Sequence, residues 1–105
     1  MPVIMTEINV KELLRTHRIE IDMLDRQIIA LLGRRYEIVN EVGKLKAENK
    51  VSPVQTDRMQ EVLDHVGELA KKNGLSPEFV QELYSKMIDH AHTLEFTYQE
   101  DGEYE

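Results

Sequence analysis

The chain of 105 residues contains no cysteine and no tryptophan, and it has only three prolines. Without cysteine, disulfides and thiol chemistry are excluded, which agrees with a reducing compartment. The longest uninterrupted apolar run, residues 28–32, is far shorter than the roughly 20 residues that span a bilayer. The first residues also lack the basic start and the apolar stretch of a secretory signal. We therefore expect no membrane helix and a cytoplasmic location.

Positive charge is scarce as well, since 13 lysines and arginines stand against 20 acidic residues, for a formal net charge of -7. Nucleic-acid binding depends on a net basic surface, so no nucleic-acid partner is expected. The cations nevertheless concentrate between residues 34 and 58, and a cationic patch in an acidic chain favours a small anion as ligand. His90 and His92 are two positions apart and would point to different sides of a helix, so no metal site is expected.

Apolar residues recur every three or four positions between residues 13 and 46, which is the period of one helical face. No proline interrupts this stretch, so it predicts one helix of roughly 40 residues, about 60 Å long at 1.5 Å per residue. A compact chain of this length would be roughly 34 Å across. The helix therefore requires a second chain to cover its apolar face.

Three cations, Arg18, Arg35 and Lys46, fall in register with this apolar stripe. A charged side chain is expensive to bury unless an anion meets it, so the pattern indicates a site for carboxylates. The pair Arg34-Arg35 taken alone would be read as a solvated face. The functional interpretation is favoured because Arg35 shares one apolar seam with Arg18 and Lys46.

Capping signals divide the chain into three helices without any alternating strand pattern. Thr6 caps the first helix, Ser52-Pro53 with Gln55 resembles a capping box for the second, and Asn73-Gly74 ends it. Ser76-Pro77 opens the third helix. We predict a single all-α domain over residues 1–105, with helices at about 7–49, 53–73 and 77–98 and an acidic tail at 99–105. Two copies would form an intertwined homodimeric helical bundle.

The spacing of the cations predicts how such a dimer shares its sites. Arg18 and Arg35 are 17 positions apart, about 25 Å along one helix, whereas a small dicarboxylate measures several ångströms. Arg35 and Lys46 are 11 positions apart, close to three turns, so they share a face. In a two-fold dimer, each site would be completed from both chains: Arg35, Lys46 and Arg58, with Arg18 of the partner subunit.

The chain contains four ordered segments of interest: Arg18 with Asp25, residues 31–35 (LLGRR), residues 41–46 (EVGKLK), and Asp57-Arg58. Together they resemble the all-helical class of chorismate mutases. The resemblance covers about residues 10–98. It implies an intertwined three-helix homodimer with two equivalent sites, each completed by an arginine from the other chain.

The resemblance also implies a reaction and the roles of its residues. Arg35 and Arg18 of the partner subunit would hold the two carboxylates of chorismate, and Lys46 would donate to the ether oxygen whose bond breaks. Arg58 would support the anion, and Gln55 belongs to the same segment. The reaction implied is a concerted [3,3] rearrangement to prephenate, an isomerase step of aromatic amino-acid biosynthesis, without metal, cofactor or covalent intermediate. Catalysis then consists of holding the reactive conformer and stabilising charge on the departing oxygen.

Three positions depart from the usual pattern of the family. Met59 stands where chorismate-specific members carry a glutamate that meets the ring hydroxyl, and Ala91 stands where a serine is often found. Glu95 replaces a glutamine that donates to the ether oxygen, and a carboxyl group donates only when it is protonated.

These departures leave alternatives open. Mutases of 4-amino-4-deoxychorismate share the apolar residue after the arginine, the helix-three glutamate and the pattern Val51-x-x-x-Gln55-x-x-Arg58. Isochorismate pyruvate lyases also have the apolar residue, and their sequences resemble residues 73–75 and 79–80. A non-enzymatic dimeric interaction module is a further alternative, but such a module would keep its seam apolar.

Overall fold

A computed structural model describes residues 7–99 of the chain, and every regular element within this range is a helix. Helix α1 spans Glu7–Glu48, α2 spans Thr56–Lys72 and α3 spans Pro77–Gln99. The predicted all-α, three-helix class is confirmed, and α1 ends one residue before the predicted position. The predicted cap at Thr6 and residues 100–105 of the predicted tail lie outside the described residues. No helix in residues 7–99 is apolar over a length that would cross a membrane.

Local capping explains how α2 ends and α3 begins. Gly74 has a φ of 72°, and the N–H groups of Gly74 and Leu75 donate to the carbonyls of Lys71 and Ala70 at 3.2 and 2.8 Å. This pattern is a Schellman motif with glycine in the left-handed position. Ser76 Oγ then accepts the N–H of Phe79 at 3.2 Å, so it caps α3 as the sequence predicts.

The start of α2 differs from the prediction by three residues. Gln55, and not Ser52, is the N-cap residue, and its side chain makes no capping hydrogen bond. Ser52 Oγ instead accepts the N–H of Val54 at 3.2 Å, within the loop. The carbonyl of Pro53 accepts a hydrogen bond from Lys46 Nζ at 2.8 Å, so it is turned toward α1 and not along α2. Pro53 is thus connected to the end of α1, and α2 begins three residues later.

The chain divides into two units between Arg35 and Tyr36. The first contains the N-terminal part of α1, whose larger apolar side chains are exposed, among them Leu13, Leu14, Ile21, Leu24, Ile28 and Leu31.

The second unit contains the end of α1 packed with α2 and α3. Its buried apolar residues are Val66 and Ala70 on α2 and Ile88 and Ala91 on α3. Gln81 Nε2 on α3 donates to the carbonyl of Leu63 on α2 at 2.9 Å. This unit brings α3 against the last turns of α1.

Candidate functional site

The centre of the candidate site is an ion pair between α1 and α3. Lys46 Nζ lies 2.7 Å from Glu95 Oε1, and the two side chains are only 19% and 7% exposed. A buried charge is costly unless an opposite charge and hydrogen bonds compensate for it. Lys46 Nζ also donates to the carbonyl of Pro53 at 2.8 Å. Within residues 7–99, these two acceptors account for two of its three N–H groups.

Glu95 reaches Lys46 because α3 approaches α1 at a glycine. A β-carbon on Gly43 would lie 3.1 Å from both the Cα and the Cγ of Glu95, and 3.0 Å from a ring carbon of Tyr98. The close approach at Gly43 is therefore made by α3 of the same chain. At Gly33, by contrast, no described atom lies within 4 Å of the corresponding position.

Tyr36 and Tyr98 support the packing of α3 on the end of α1. The hydroxyl of Tyr36 donates to the carbonyl of Met87 at 2.9 Å, and its ring meets the edge of His90 at 5.2 Å. The hydroxyl of Tyr98 donates to Asn40 Oδ1 at 3.1 Å. Lys44 Nζ lies 5.7 Å from the centre of the Tyr98 ring, so this lysine contacts a different group from Lys46.

The loop between α1 and α2 forms one wall of the site. Lys50 has a φ of 57°, and Val51 N–H donates to the carbonyl of Lys46 at 2.8 Å, while Lys50 N–H donates to that of Ala47 at 3.3 Å. This is again a Schellman motif, but with lysine in the position that usually holds glycine. Pro53, two residues after Val51, is buried. The loop is thus anchored to the end of α1.

Arg58 lies at the start of α2, beside an open depression lined by Val54, Gln55, Thr56, Asp57 and Glu61. Its NH1 donates to Glu61 Oε1 at 3.1 Å, and both side chains are about 70% exposed, at 71% and 69%. An exposed pair of this kind contributes only about 0.2–1 kcal/mol, so an anionic ligand could displace Glu61. Gln55 is exposed, and its Nε2 donates to the carbonyl of Ser52 at 3.0 Å.

The other predicted site residues have different surroundings. Ala91 is buried one helical turn before Glu95, and Met59 is half-buried on α2. In the first unit, Arg18 is exposed and Arg35 is half-buried, both on α1. The structure therefore brings Lys46 and Glu95 together. The predicted contribution of Arg18 from a partner subunit remains a prediction.

Two groups in or near this centre were not predicted from the sequence. One is the carbonyl of Pro53, because the direction of a backbone carbonyl is not a property of residue type. The other is Gln99, which is 8% exposed and donates from Nε2 to the carbonyl of Val51 at 2.8 Å. The spacing of Ala91, Glu95 and Gln99 at four residues was a signal that could have placed Gln99 on the same buried face.

Comparison with known families agrees with this geometry. The family model described as chorismate mutase type II matches residues 17–95, a range that includes Arg18, Lys46 and Glu95. A comparison with curated proteins gave no match. The matched range covers most of the chain. The chain therefore belongs to the chorismate mutase type II family.

Proposed function

We propose that this protein catalyses the rearrangement of chorismate to prephenate. Membership of the chorismate mutase type II family implies an isomerase activity of this type with chorismate as substrate. The observation that carries the proposal is the half-buried Lys46, whose ammonium is held by two acceptors, so that its third N–H would serve a ligand.

The chemistry requires such a group at one atom of the substrate. As the carbon–oxygen bond of the enolpyruvyl ether breaks, negative charge develops on the ether oxygen while the new carbon–carbon bond forms. A donor that is already oriented stabilises this charge without reorganising during the reaction. Lys46 would supply this donor. Glu95 holds Lys46 in place and, when protonated, would donate a second hydrogen bond to the same oxygen.

Arginines would bind the two carboxylates of the substrate. Guanidinium groups hold carboxylates through two parallel hydrogen bonds, which also fixes the orientation of the bound anion. We assign this role to Arg35 and to Arg18 of the partner subunit, with Arg58 released from Glu61 to support the anion. Gln55 would line the same end of the site, and Met59 and Ala91 would contact the ring.

The proposal includes an obligate homodimer. The apolar side chains of α1 in the first unit, such as Leu24, Ile28 and Leu31, are exposed in the single chain. Burial of each such side chain would contribute about 1.5–3 kcal/mol. A second copy related by a two-fold axis presents the same surface and would cover this face.

Substitution of Lys46 tests the proposal directly. We expect Lys46→Ala to lower kcat for chorismate by roughly 10²–10³-fold, the usual effect of removing one such donor. Lys44→Ala is the matched control. Lys44 carries the same charge and lies two residues before Lys46, but its side chain lies over the Tyr98 ring. The control should retain kcat within about twofold. Equal activity of both variants and the wild type would refute the assignment.

Met59 makes two other reactions candidates. Because no carboxylate stands at this half-buried position to accept the ring hydroxyl, a substrate without the 4-hydroxyl is also compatible. The candidates are rearrangement of 4-amino-4-deoxychorismate and elimination of pyruvate from isochorismate. Separate incubations with the three substrates, followed by identification of products, decide between them. We expect prephenate from chorismate at the highest kcat/KM.

A further inference from the structure

The last turn of α3 places a buried glutamine against the loop between α1 and α2. Gln99 is 8% exposed, and its Nε2 donates to the carbonyl of Val51 at 2.8 Å. Val51 is also held from its other side, since its N–H donates to the carbonyl of Lys46 at 2.8 Å. This residue of the loop is therefore fixed by both α1 and α3.

The loop connects Val51 to the side chain of Lys46 through Pro53. Pro53 follows Val51 by two residues, is buried, and its carbonyl accepts from Lys46 Nζ at 2.8 Å. The proline ring fixes its own φ near -65° and disfavours the helical region for Ser52, which reduces the freedom of the backbone between the carbonyls of Val51 and Pro53. The hydrogen bond from Gln99 thus limits where the second acceptor of Lys46 can lie.

Glu95 and Gln99 are four residues apart and lie on the same face of α3. Glu95 holds Lys46 Nζ directly at 2.7 Å, whereas Gln99 holds the loop that carries the other acceptor. Because both acceptors are positioned from one helical face, the direction of the third N–H of Lys46 depends on both residues.

We propose that Gln99 is a positioning residue for the reaction, which acts by holding the Val51–Pro53 loop so that Lys46 points at the substrate. The inference rests on the proposed function, which gives Lys46 its catalytic role. Orientation of this donor matters most when charge develops on the ether oxygen. Loss of Gln99 should therefore lower kcat while KM changes little.

The test compares two glutamines of the same helix. Gln99→Met keeps the length of the side chain and removes its N–H donors. We expect a roughly 10-fold lower kcat with KM within about twofold, since misplacement of a catalytic group by 1 Å can cost about 10²-fold. Gln81→Met is the control, because Gln81 Nε2 also donates to a backbone carbonyl, that of Leu63 at 2.9 Å, but not near Lys46. It should lower the Tm and leave kcat within about twofold.

A double substitution tests whether Gln99 acts through Lys46. In the Lys46→Ala background, Gln99→Met should lower the residual kcat by less than about twofold, because the group it positions is already absent. A full 10-fold loss of kcat in that background, or equal losses of kcat for Gln99→Met and Gln81→Met, would overturn the role of Gln99 but not the proposed function. Normal activity of Lys46→Ala would overturn the proposed function as well. Gln99→Leu, which has a similar volume and no hydrogen-bond donor, replaces Gln99→Met if the latter does not fold.

Discussion

The Cα of Glu95 lies 3.1 Å from the position that a β-carbon on Gly43 would occupy. Gly43 is buried and precedes Lys46 by three residues on α1. The absence of a side chain at Gly43 lets the backbone of α3 come close enough for the Glu95 carboxylate to reach Lys46 Nζ. The ion pair therefore depends on a residue that makes no polar contact with it.

We predict that Gly43→Ala lowers both stability and activity. The methyl group would force Glu95 and Tyr98 to move by a few tenths of an ångström, and overpacking of this kind costs about 1–3 kcal/mol. The displaced Glu95 would hold Lys46 less well, so kcat should fall. Thermal unfolding at fixed protomer concentration and turnover of chorismate measure the two effects. A variant with wild-type Tm and kcat would contradict the role given to Gly43.

Gly33→Ala is the matched control on the same helix. No described atom lies within 4 Å of its would-be β-carbon, and alanine is favoured over glycine in a helix interior by about 1 kcal/mol. We expect the variant to be more stable than the wild type by about this amount. A decrease in Tm would instead indicate that a second chain packs closely against Gly33.

The parts of the fold that local signals determine were predictable from the sequence. Gly74 and Ser76-Pro77 set the end of α2 and the start of α3, because each acts on N–H groups within a few residues of itself. The start of α2 was predicted wrongly at residue 53. There the local capping preference of Ser52 gives way to a hydrogen bond from Lys46, which a local pattern does not reveal.

The candidate site was predictable only in part for the same reason. The register of Lys46 and the family resemblance identified both members of the central ion pair, Lys46 and Glu95. Gln99 was predicted to lie in the acidic tail, because its contact with Val51 depends on the position of a loop from another part of the chain. The carbonyl of Pro53 carries no signature in the sequence at all.

We predict that Lys50→Gly stabilises the protein by about 1 kcal/mol. Lys50 has a φ of 57° at the end of α1, a left-handed conformation that costs a side-chain-bearing residue roughly 1–2 kcal/mol, and Gly74 occupies the same position of the motif after α2. The greater freedom of glycine in the unfolded chain offsets part of the gain. Lys50→Ala keeps a β-carbon and should show no such gain. Equal Tm values for the two variants, measured at one protomer concentration, would argue against strain at this position.

We predict that Glu95→Gln raises kcat with chorismate. In the ion pair the carboxylate of Glu95 only accepts from Lys46, whereas the amide of glutamine also offers an N–H to the ether oxygen. The amide oxygen still accepts from Lys46, so the geometry at Nζ is kept. Values of kcat and KM for both proteins, measured side by side with chorismate, provide the test. A kcat equal to or below that of the wild type would exclude a second donor at this position, and the role of Glu95 would be limited to holding Lys46.

If each site is built from both chains of the dimer, two inactive variants should restore activity when they are mixed. Sites built from one chain alone would not show this recovery. Arg18→Ala and Lys46→Ala should each be nearly inactive as homodimers. In a heterodimer of the two variants, one site combines both substitutions, whereas the other combines the intact Arg18 of one chain with the intact Lys46 of the other. A two-fold dimer therefore regains one complete site.

Unfolding the two variants together and refolding them at equal concentration should restore about a quarter of the wild-type activity per protomer, because half of the dimers are mixed and each has one complete site. Arg35→Ala mixed with Lys46→Ala is the control, since both residues belong to the same chain of a site under the proposal. That mixture should stay inactive, because every site in its mixed dimers lacks one of the two side chains. Recovery in the control would show that Arg35 and Lys46 of one site come from different chains. No recovery with Arg18→Ala would show that Arg18 is not supplied by the other chain.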